Sequence, residues 1–576
     1  MKKHIFIFFV FIASYCSAQV IEIKGSWKFQ PGDNQLWSDI SYNDKGWSDI
    51  PYEEKVENHG FPKFDGLGWF RKTIEFPKDY QNNIKNDYPY LTLILGKIDD
   101  ADETYFNGKK IGSTANMKMQ TGGESEIVRK YLIPIELINW DGSNVLSVRV
   151  SDFGGGCGIF SGPFKIYPSS FIDFVKLNST LMDAQENVYP KGKAAKFNLI
   201  FQNKSKEYLE GKVTFEIFTD THVKIKEQEI KFKTEAGEEF SYDLEFKNTA
   251  PGFYVASFLC FITNKGDALN NIIFFGNSPE EIQAPLTRPE DFKDFWDKTK
   301  KELTGVKPKY VVKKSVEYST NTIDVYEVEM RSLDSVRVRG WYSAPKKEGR
   351  FPALIRMIGY SGSNMPVTDI EDFAVLSFNI RGHGNSKDDV NPGFPQYITS
   401  GIENKEQYIY RGAYMDCVRA VDFICSRAEV DSNRIGVYGG SQGGALSIAT
   451  AALDKRIKVC APHVPFLSNF RYYFQINNFP REIFENYLKN TPDMTWEKVY
   501  SVLDYFDIKN LAPWVSCPVF MGIGMKDQVC PPATNFAAYN NIGSKKKQVF
   551  VFANYGHAVP NKQHQKELEW LRKMLK

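Results

Sequence analysis

The chain has 576 residues, enough for about three or four domains of ordinary size. Its 72 lysines and arginines against 70 aspartates and glutamates leave a net charge of +2, which excludes the strongly basic class that takes up nucleic acid through charge alone. Aromatic residues make up 15 % of it, which suits β-rich domains, as strand cores first and as sugar-facing surfaces second.

The chain begins MKKHIFIFFVFIASYCSAQV: two lysines, an apolar run over 5–13, then small residues at Cys16, Ser17 and Ala18. This is the pattern of a secretory signal over 1–18, cut after Ala18, and it predicts a secreted or periplasmic protein. The apolar run is too short to span a bilayer, and no later segment reaches the roughly 18 apolar residues a transmembrane helix needs. Cys16 is not read as a lipid anchor, because Tyr15 stands where lipoprotein signals carry a small residue.

Over 19–168 short β-rich runs alternate with Gly, Asn and Asp turns, as in "GWFRKTIEFP", "YLTLILGKIDDADETYFNGKKIG" and "NVLSVRVSDFGGG", which predicts an all-β sandwich. Asn107-Gly108 supplies the two residues tolerant of positive φ that a type I′ hairpin needs. With the "GIFSGPFKIYP" exit, these stretches resemble the jelly-roll sugar-binding domain of glycoside hydrolase family 2, in which the module is often a packing scaffold. Over 169–284 the period of two continues in "KFNLIFQN", "KVTFEIFTD" and "YVASFLCFITN", predicting an immunoglobulin-like sandwich that acts as a spacer. "SPEEIQAPLTRPEDF", with Pro279, Pro285 and Pro289, then reads as a domain boundary before the helix "DFKDFWDKTKKEL".

From 285 to 576 the pattern changes. After a hairpin region over 310–345, apolar runs ("ALIRMIGY", "FAVLSFNI", "RIGVYGG", "IKVCAPH", "PVFMGIG", "QVFVFANY") alternate with helical stretches, which predicts a doubly wound, mostly parallel sheet of the α/β-hydrolase kind. Ligands of such sheets collect at the carboxyl ends of the strands. The seven cysteines after the signal, Cys157, Cys260, Cys417, Cys425, Cys460, Cys517 and Cys530, have no paired-ligand spacing, so neither a metal site nor a disulfide framework is expected. Cys417 and Cys425 share a helical stripe with Tyr414, Val418, Val421 and Ile424 and read as small core residues.

Gly439-Gly440-Ser441-Gln442-Gly443 is G-x-S-x-G between a strand and a helix, the setting of a nucleophile elbow. Gly439 and Gly443 are expected to be glycine because side chains two residues either side of the serine would collide. The hydroxyl needs an imidazole oriented by a carboxylate, and in this fold the order is serine, acid, histidine. Asp527 follows the strand "PVFMGIG" and His557 follows "QVFVFANY", both in glycine-containing loops. His564 lies in the amphipathic C-terminal helix and reads as a solvated surface residue; His463 precedes its acid and breaks the order; Asp504 and Asp507 fall in an inserted segment. The expected mechanism is ester hydrolysis through an acyl-enzyme, with an oxyanion hole from the backbone N–H groups of Gln442 and Tyr360 and with no cofactor.

On these residues the region from Pro285 onward resembles the acetyl xylan esterases and cephalosporin C deacetylases of carbohydrate esterase family 7. The resemblance is carried by "RPEDFKDFW", "GYSG", "NIRGHGNS", "YIYRGAYMDCVRAVDFICSRAEVDSNRIGVYGGSQGGAL", "KDQVCPP" and "NYGHAVP". It implies the triad Ser441, Asp527 and His557, the oxyanion pair Tyr360 and Gln442, and an acetylated carbohydrate as substrate. Two departures stand out: His383 where the family usually has glutamine, and Ala558 where it usually has glutamate. His383, at a strand's carboxyl end, is carried as a candidate substrate contact beside a structural loop role. Two other readings stay open: a serine peptidase of the prolyl oligopeptidase type, which usually has tyrosine where this chain has Gln442, and a non-catalytic glycan-binding protein. The sequence leaves homo-oligomerisation open.

Overall fold

Alternating side chains organise the N-terminal half of the computed structural model, which describes residues 20–576 except 63, 85–86, 119–126, 154–155, 248–249 and 559–560. The expected signal over 1–18, with Cys16, lies outside the described residues. A four-stranded sheet first faces a six-stranded one. Leu91, Leu93 and Leu95 of strand Tyr90–Asp99 meet Leu146, Val148 and Val150 of Asn144–Asp152 between them. Each sheet buries one face, the arrangement that a period of two dictates. Strands Ala101–Phe106 and Lys109–Thr114 pair across Asn107 (φ 46°) and Gly108 (φ 80°), the two positive values a type I′ turn requires.

A three-stranded and a five-stranded sheet follow. Phe197, Leu199 and Phe201 from Ala195–Asn203 pack on Val213, Phe215 and Ile217 from Leu209–Thr219, in a core separate from the first. The all-β sheets therefore run from 21 to 277.

The C-terminal half is an α/β hydrolase body around nine strands. In spatial order they are Val311–Ser315, Ile323–Arg331, Arg337–Pro345, Ala374–Asn379, Phe351–Arg356, Val430–Gly440, Ile457–His463, Val519–Gly524 and Lys547–Phe552. Antiparallel pairing joins the first four, and parallel pairing runs from Ala374–Asn379 to the far edge. Helices cover both faces of the parallel part, so strand Ala374–Asn379 is buried at every position, its polar Ser377 and Asn379 included. The order reverses at Phe351–Arg356: the next strand lies on one side of it and Val430–Gly440 on the other. A crevice opens at such a reversal.

Helix Ile409–Cys425 buries Cys417 as expected and leaves Cys425 half-buried. Helix Phe292–Gly305 places Trp296 against Tyr414, ring centroids 5.7 Å apart. Helices Phe470–Ile476, Arg481–Asn490 and Trp496–Phe506 form an insertion before Val519–Gly524. Within that segment Asp507 takes backbone N–H bonds from Asn469, Phe470 and Lys509, and Asp504 bonds Thr287 and Arg471. Contacts also join the second sandwich to this body: Tyr472 donates its hydroxyl to Asp220 at 2.6 Å, and Phe253 packs on Phe536 at 5.7 Å. No helix among the described residues is long and apolar enough to cross a membrane.

Candidate active site

The elbow is built by steric exclusion. Ser441 has φ 58° and ψ −123°, a strained region for a residue with a side chain, between strand Val430–Gly440 and helix Gln442–Leu453. A Cβ on Gly439 would lie 2.9 Å from the Met357 carbonyl oxygen, and one on Gly443 would lie 2.6 Å from the same atom. Two further glycines that sequence reasoning did not single out are just as constrained. A Cβ on Gly440 would lie 2.1 Å from His463 Nε2, and one on Gly444 would lie 2.8 Å from the His463 carbonyl.

The acid and the imidazole come from neighbouring strand ends. Asp527 follows Val519–Gly524, with its side chain fully buried, and Oδ1 accepts the backbone N–H groups of Val529 and Cys530, each at 2.8 Å. That fixes the carboxylate so that Oδ2 faces His557 Nδ1 at 2.9 Å. The His557 side chain remains about a third exposed, as a group that meets substrate must. Gly524 lets the two loops approach, since a Cβ there would sit 2.1 Å from the Gly556 carbonyl.

Cys530 marks where the three groups converge. Its sulfur lies within 4.8 Å of the Asp527 and His557 ligand atoms, and the Ser441 and Tyr473 hydroxyls are among the groups that act on its thiol. Burial pushes that thiol far above the ordinary thiol range, so it stays protonated and unreactive. Nothing in the cysteine spacing pointed to it. Among the described residues no hydrogen bond joins the Ser441 hydroxyl to the His557 ring, and in hydrolases such bonds often tighten only with substrate in place. Asp527, Cys530 and His557 could in principle ligate a metal, but both Asp527 oxygens are already committed.

The oxyanion-hole candidates flank this point. Gln442 opens the elbow helix, and neither its backbone N–H nor that of Tyr360 is taken by another described residue. The Gln442 side chain is locked in a buried chain. Tyr410 donates its hydroxyl to Oε1 at 2.7 Å, which turns the amide nitrogen toward His383 Nε2 at 3.0 Å. His383 Nε2 must then accept, so its proton sits on Nδ1, which faces the Arg381 carbonyl at 3.3 Å. Burial lowers the His383 pKa to about 4, keeping the ring neutral as this network needs. The Tyr360 ring stands between Phe394 and Phe466 with its hydroxyl on the Pro395 carbonyl at 2.8 Å.

Of the two roles carried for His383, substrate contact and loop support, its surroundings favour loop support. It is fully buried, with both ring nitrogens facing protein atoms, because the loop after Ala374–Asn379 turns inward. A buried bidentate pair, Arg381 with Asp416 at 2.8 Å on both oxygens, holds that loop. Tyr410, the other anchor of Gln442, lies near the start of helix Ile409–Cys425, in a stretch the sequence flagged without singling it out. Of the competing groups, Asp504 and Asp507 serve the insertion, and the His463 and His564 side chains gather around Glu567 of the C-terminal helix.

The sequence model of the acetyl xylan esterase (AXE1) family matches residues 280–574. The acetyl esterase Axe7A of Xylanibacter ruminicola is 29 % identical over 317 residues, which cover 52 % of this chain and 71 % of that protein. Among solved structures, an acetyl xylan esterase from Paenibacillus sp. R4 is 34 % identical, covering 52 % of this chain and 98 % of its own at a TM-score of 0.49. The β-glucuronidase 2 of Bacteroides uniformis aligns with 88 % of this chain and 53 % of its own, at 11 % identity and a TM-score of 0.31, too loosely to carry an argument.

Proposed function

The chain belongs to the acetyl xylan esterase family through residues 280–574, and from that premise we propose that this carboxylic ester hydrolase removes acetyl groups from xylan, xylo-oligosaccharides or other acetylated sugars. The observation that carries the reading is the Asp527–His557 hydrogen bond of 2.9 Å beside a serine held in a strained elbow.

His557 donates Nδ1–H to Asp527, which leaves the Nε2 lone pair as the base. Ser441 Oγ attacks the acetyl carbonyl as its proton passes to Nε2, and the oxyanion is met by the N–H groups of Gln442 and Tyr360 at the positive end of helix Gln442–Leu453. The tetrahedral intermediate collapses, the sugar alkoxide takes the proton from the imidazolium, and the acetyl group stays on Ser441. Water, deprotonated by the same imidazole, then releases acetate and restores the serine.

The same proposal takes 1–18 as a secretory signal, 19–168 as a jelly roll, 169–284 as an immunoglobulin-like spacer and 285–576 as the esterase. A polysaccharide is met outside the cytoplasm, and the β regions are suited to orienting a long substrate. The test is acetate release from acetylated xylan, small acetyl esters and a peptide panel by the wild type and Ser441→Ala. Deacetylation that vanishes in the variant supports the reading; peptide cleavage without deacetylation overturns it.

A further inference from the structure

Strand Ile457–His463 presents alternate residues to opposite faces of the sheet. Val459 and Ala461 pack with Leu571 and Leu575 of the C-terminal helix Asn561–Met574, whereas Cys460 joins the core under the elbow helix. His463, two residues beyond Ala461, falls on the C-terminal helix side, and there it meets Glu567 and His564 from that helix. His463 Nδ1 is 3.3 Å from Glu567 Oε1, His564 Nδ1 is 3.6 Å from Glu567 Oε2, and the two rings stand edge to face at 5.2 Å. One ligand atom from each of the three lies within 4.8 Å of the others.

We propose that His463, His564 and Glu567 form a binding site for a divalent cation of the zinc type, separate from the catalytic centre. Four arguments support it. The donor set, two imidazoles and a carboxylate, is one that zinc takes up readily. The spacing fits, because bonds of about 2.0–2.2 Å in a tetrahedron set neighbouring ligand atoms about 3.4 Å apart. Glu567 is 2 % exposed, and among the described residues its ion pairs are with these two histidines alone, so a cation would compensate a carboxylate removed from water.

The fourth argument is Gln563, one turn before Glu567 on the same helix. It is fully buried, and neither atom of its amide has a hydrogen-bond partner among the described residues. Its amide nitrogen lies 2.5 Å from where a Gly522 side chain would start, and Gly522 is the sheet neighbour of His463. An unpaired buried amide beside the imidazole is placed to hold a water in the fourth metal position. His564, about half exposed, leaves that side open to an arriving ion.

Such an ion would clamp the C-terminal helix to a strand end that also supports the elbow, since the His463 carbonyl accepts the Ser441 N–H at 3.0 Å. The site would add stability and leave the chemistry to Ser441. The experiment is titration calorimetry of the full chain with zinc chloride, alongside thermal melts with zinc and with chelator, for the wild type, His564→Ala and His557→Ala. The wild type should bind zinc and melt higher with it. His564→Ala, a change at an exposed position, should weaken one binding event at least about 100-fold and keep metal-free ester hydrolysis unchanged. His557→Ala should retain that event. No zinc binding by the wild type, equal binding by His564→Ala, or loss of the event in His557→Ala would each overturn the proposal.

Discussion

The first β sandwich and the α/β body each bury an arginine–aspartate pair, and they put it to different uses. In the sandwich, fully buried Arg129 bonds Asp102 at 2.9 Å, and Asp102 also accepts the Thr104 and Tyr131 hydroxyls. Its two members lie on strands of different sheets, Ala101–Phe106 and Val128–Pro134, so the pair ties the layers together. In the α/β body, Arg381 and Asp416 tie a loop at a strand's carboxyl end to a helix, and that loop carries the imidazole that fixes Gln442. Buried charge alone does not mark a site. What separates the two regions is the strained serine and the acid–imidazole pair at the second one's strand ends.

The largest effect that should sharpen this contrast is at Ser441. Ser441→Ala should lower kcat for acetate release at least about 10⁴-fold with the melting temperature nearly unchanged, whereas Thr104→Ala in the sandwich should leave kcat alone. Steady-state kinetics with parallel melts will decide, and comparable losses in both variants would break the contrast.

Backbone crowding gives the next test. Gly443→Ala pushes a methyl to within 2.6 Å of a backbone oxygen and should cost about 3 kcal/mol or more, with activity lost as the elbow shifts. Gly237→Ala, at φ +85° in a turn of the second sandwich with nothing within 4 Å, should cost only about 1 kcal/mol. Denaturant unfolding of both variants measures the difference.

Proton linkage should run in opposite directions in the two regions. His383, with a pKa of about 4 in the folded chain against about 6.5 unfolded, binds fewer protons when folded between those values. Stability should therefore fall as the pH drops from about 6.5 to 4, by up to about 3 kcal/mol, and His383→Gln should flatten that slope. Asp99 in the first sandwich is the reverse case: burial and the neighbouring Asp100 raise its pKa, so the folded acid keeps a proton the unfolded chain has lost. Its contribution should fade as the pH rises from about 4 to about 8, and Asp99→Asn should flatten that slope. Calorimetric melts across pH would show two slopes of opposite sign; a common sign would refute the contrast.

Much of this was legible beforehand. Period-two patterning announced the all-β sheets over 21–277, Asn107-Gly108 the hairpin, and G-x-S-x-G with its following acid and histidine the candidates for the triad. His383 was carried with two roles, substrate contact and loop support, because a residue at a strand end can face the cleft or the core, depending on which way its loop turns; its burial favours the second. His564 is about half exposed, as its helix face suggested, yet its ring pairs with Glu567, since periodicity names a face without naming its neighbour. Cys530 and Tyr410 lie inside the flagged stretches "KDQVCPP" and "YIYRGAYMDC", yet neither was singled out there. Their importance comes from contact with residues 89 and 32 positions away, Ser441 and Gln442.

By itself the sequence determined what is local: which segments alternate, where glycine is required for the chain to turn, and which residue types could carry acyl transfer. Those features depend on sterics and hydrophobic periodicity within a few residues. Only the tertiary structure decided that Asp527 is held by two backbone N–H groups with one oxygen turned to His557, that Gln442 is locked by a neutral imidazole and a phenol, and that two histidines gather on Glu567 behind the elbow. Each of those depends on distances between strands and helices far apart in the chain, which packing sets and local pattern does not encode.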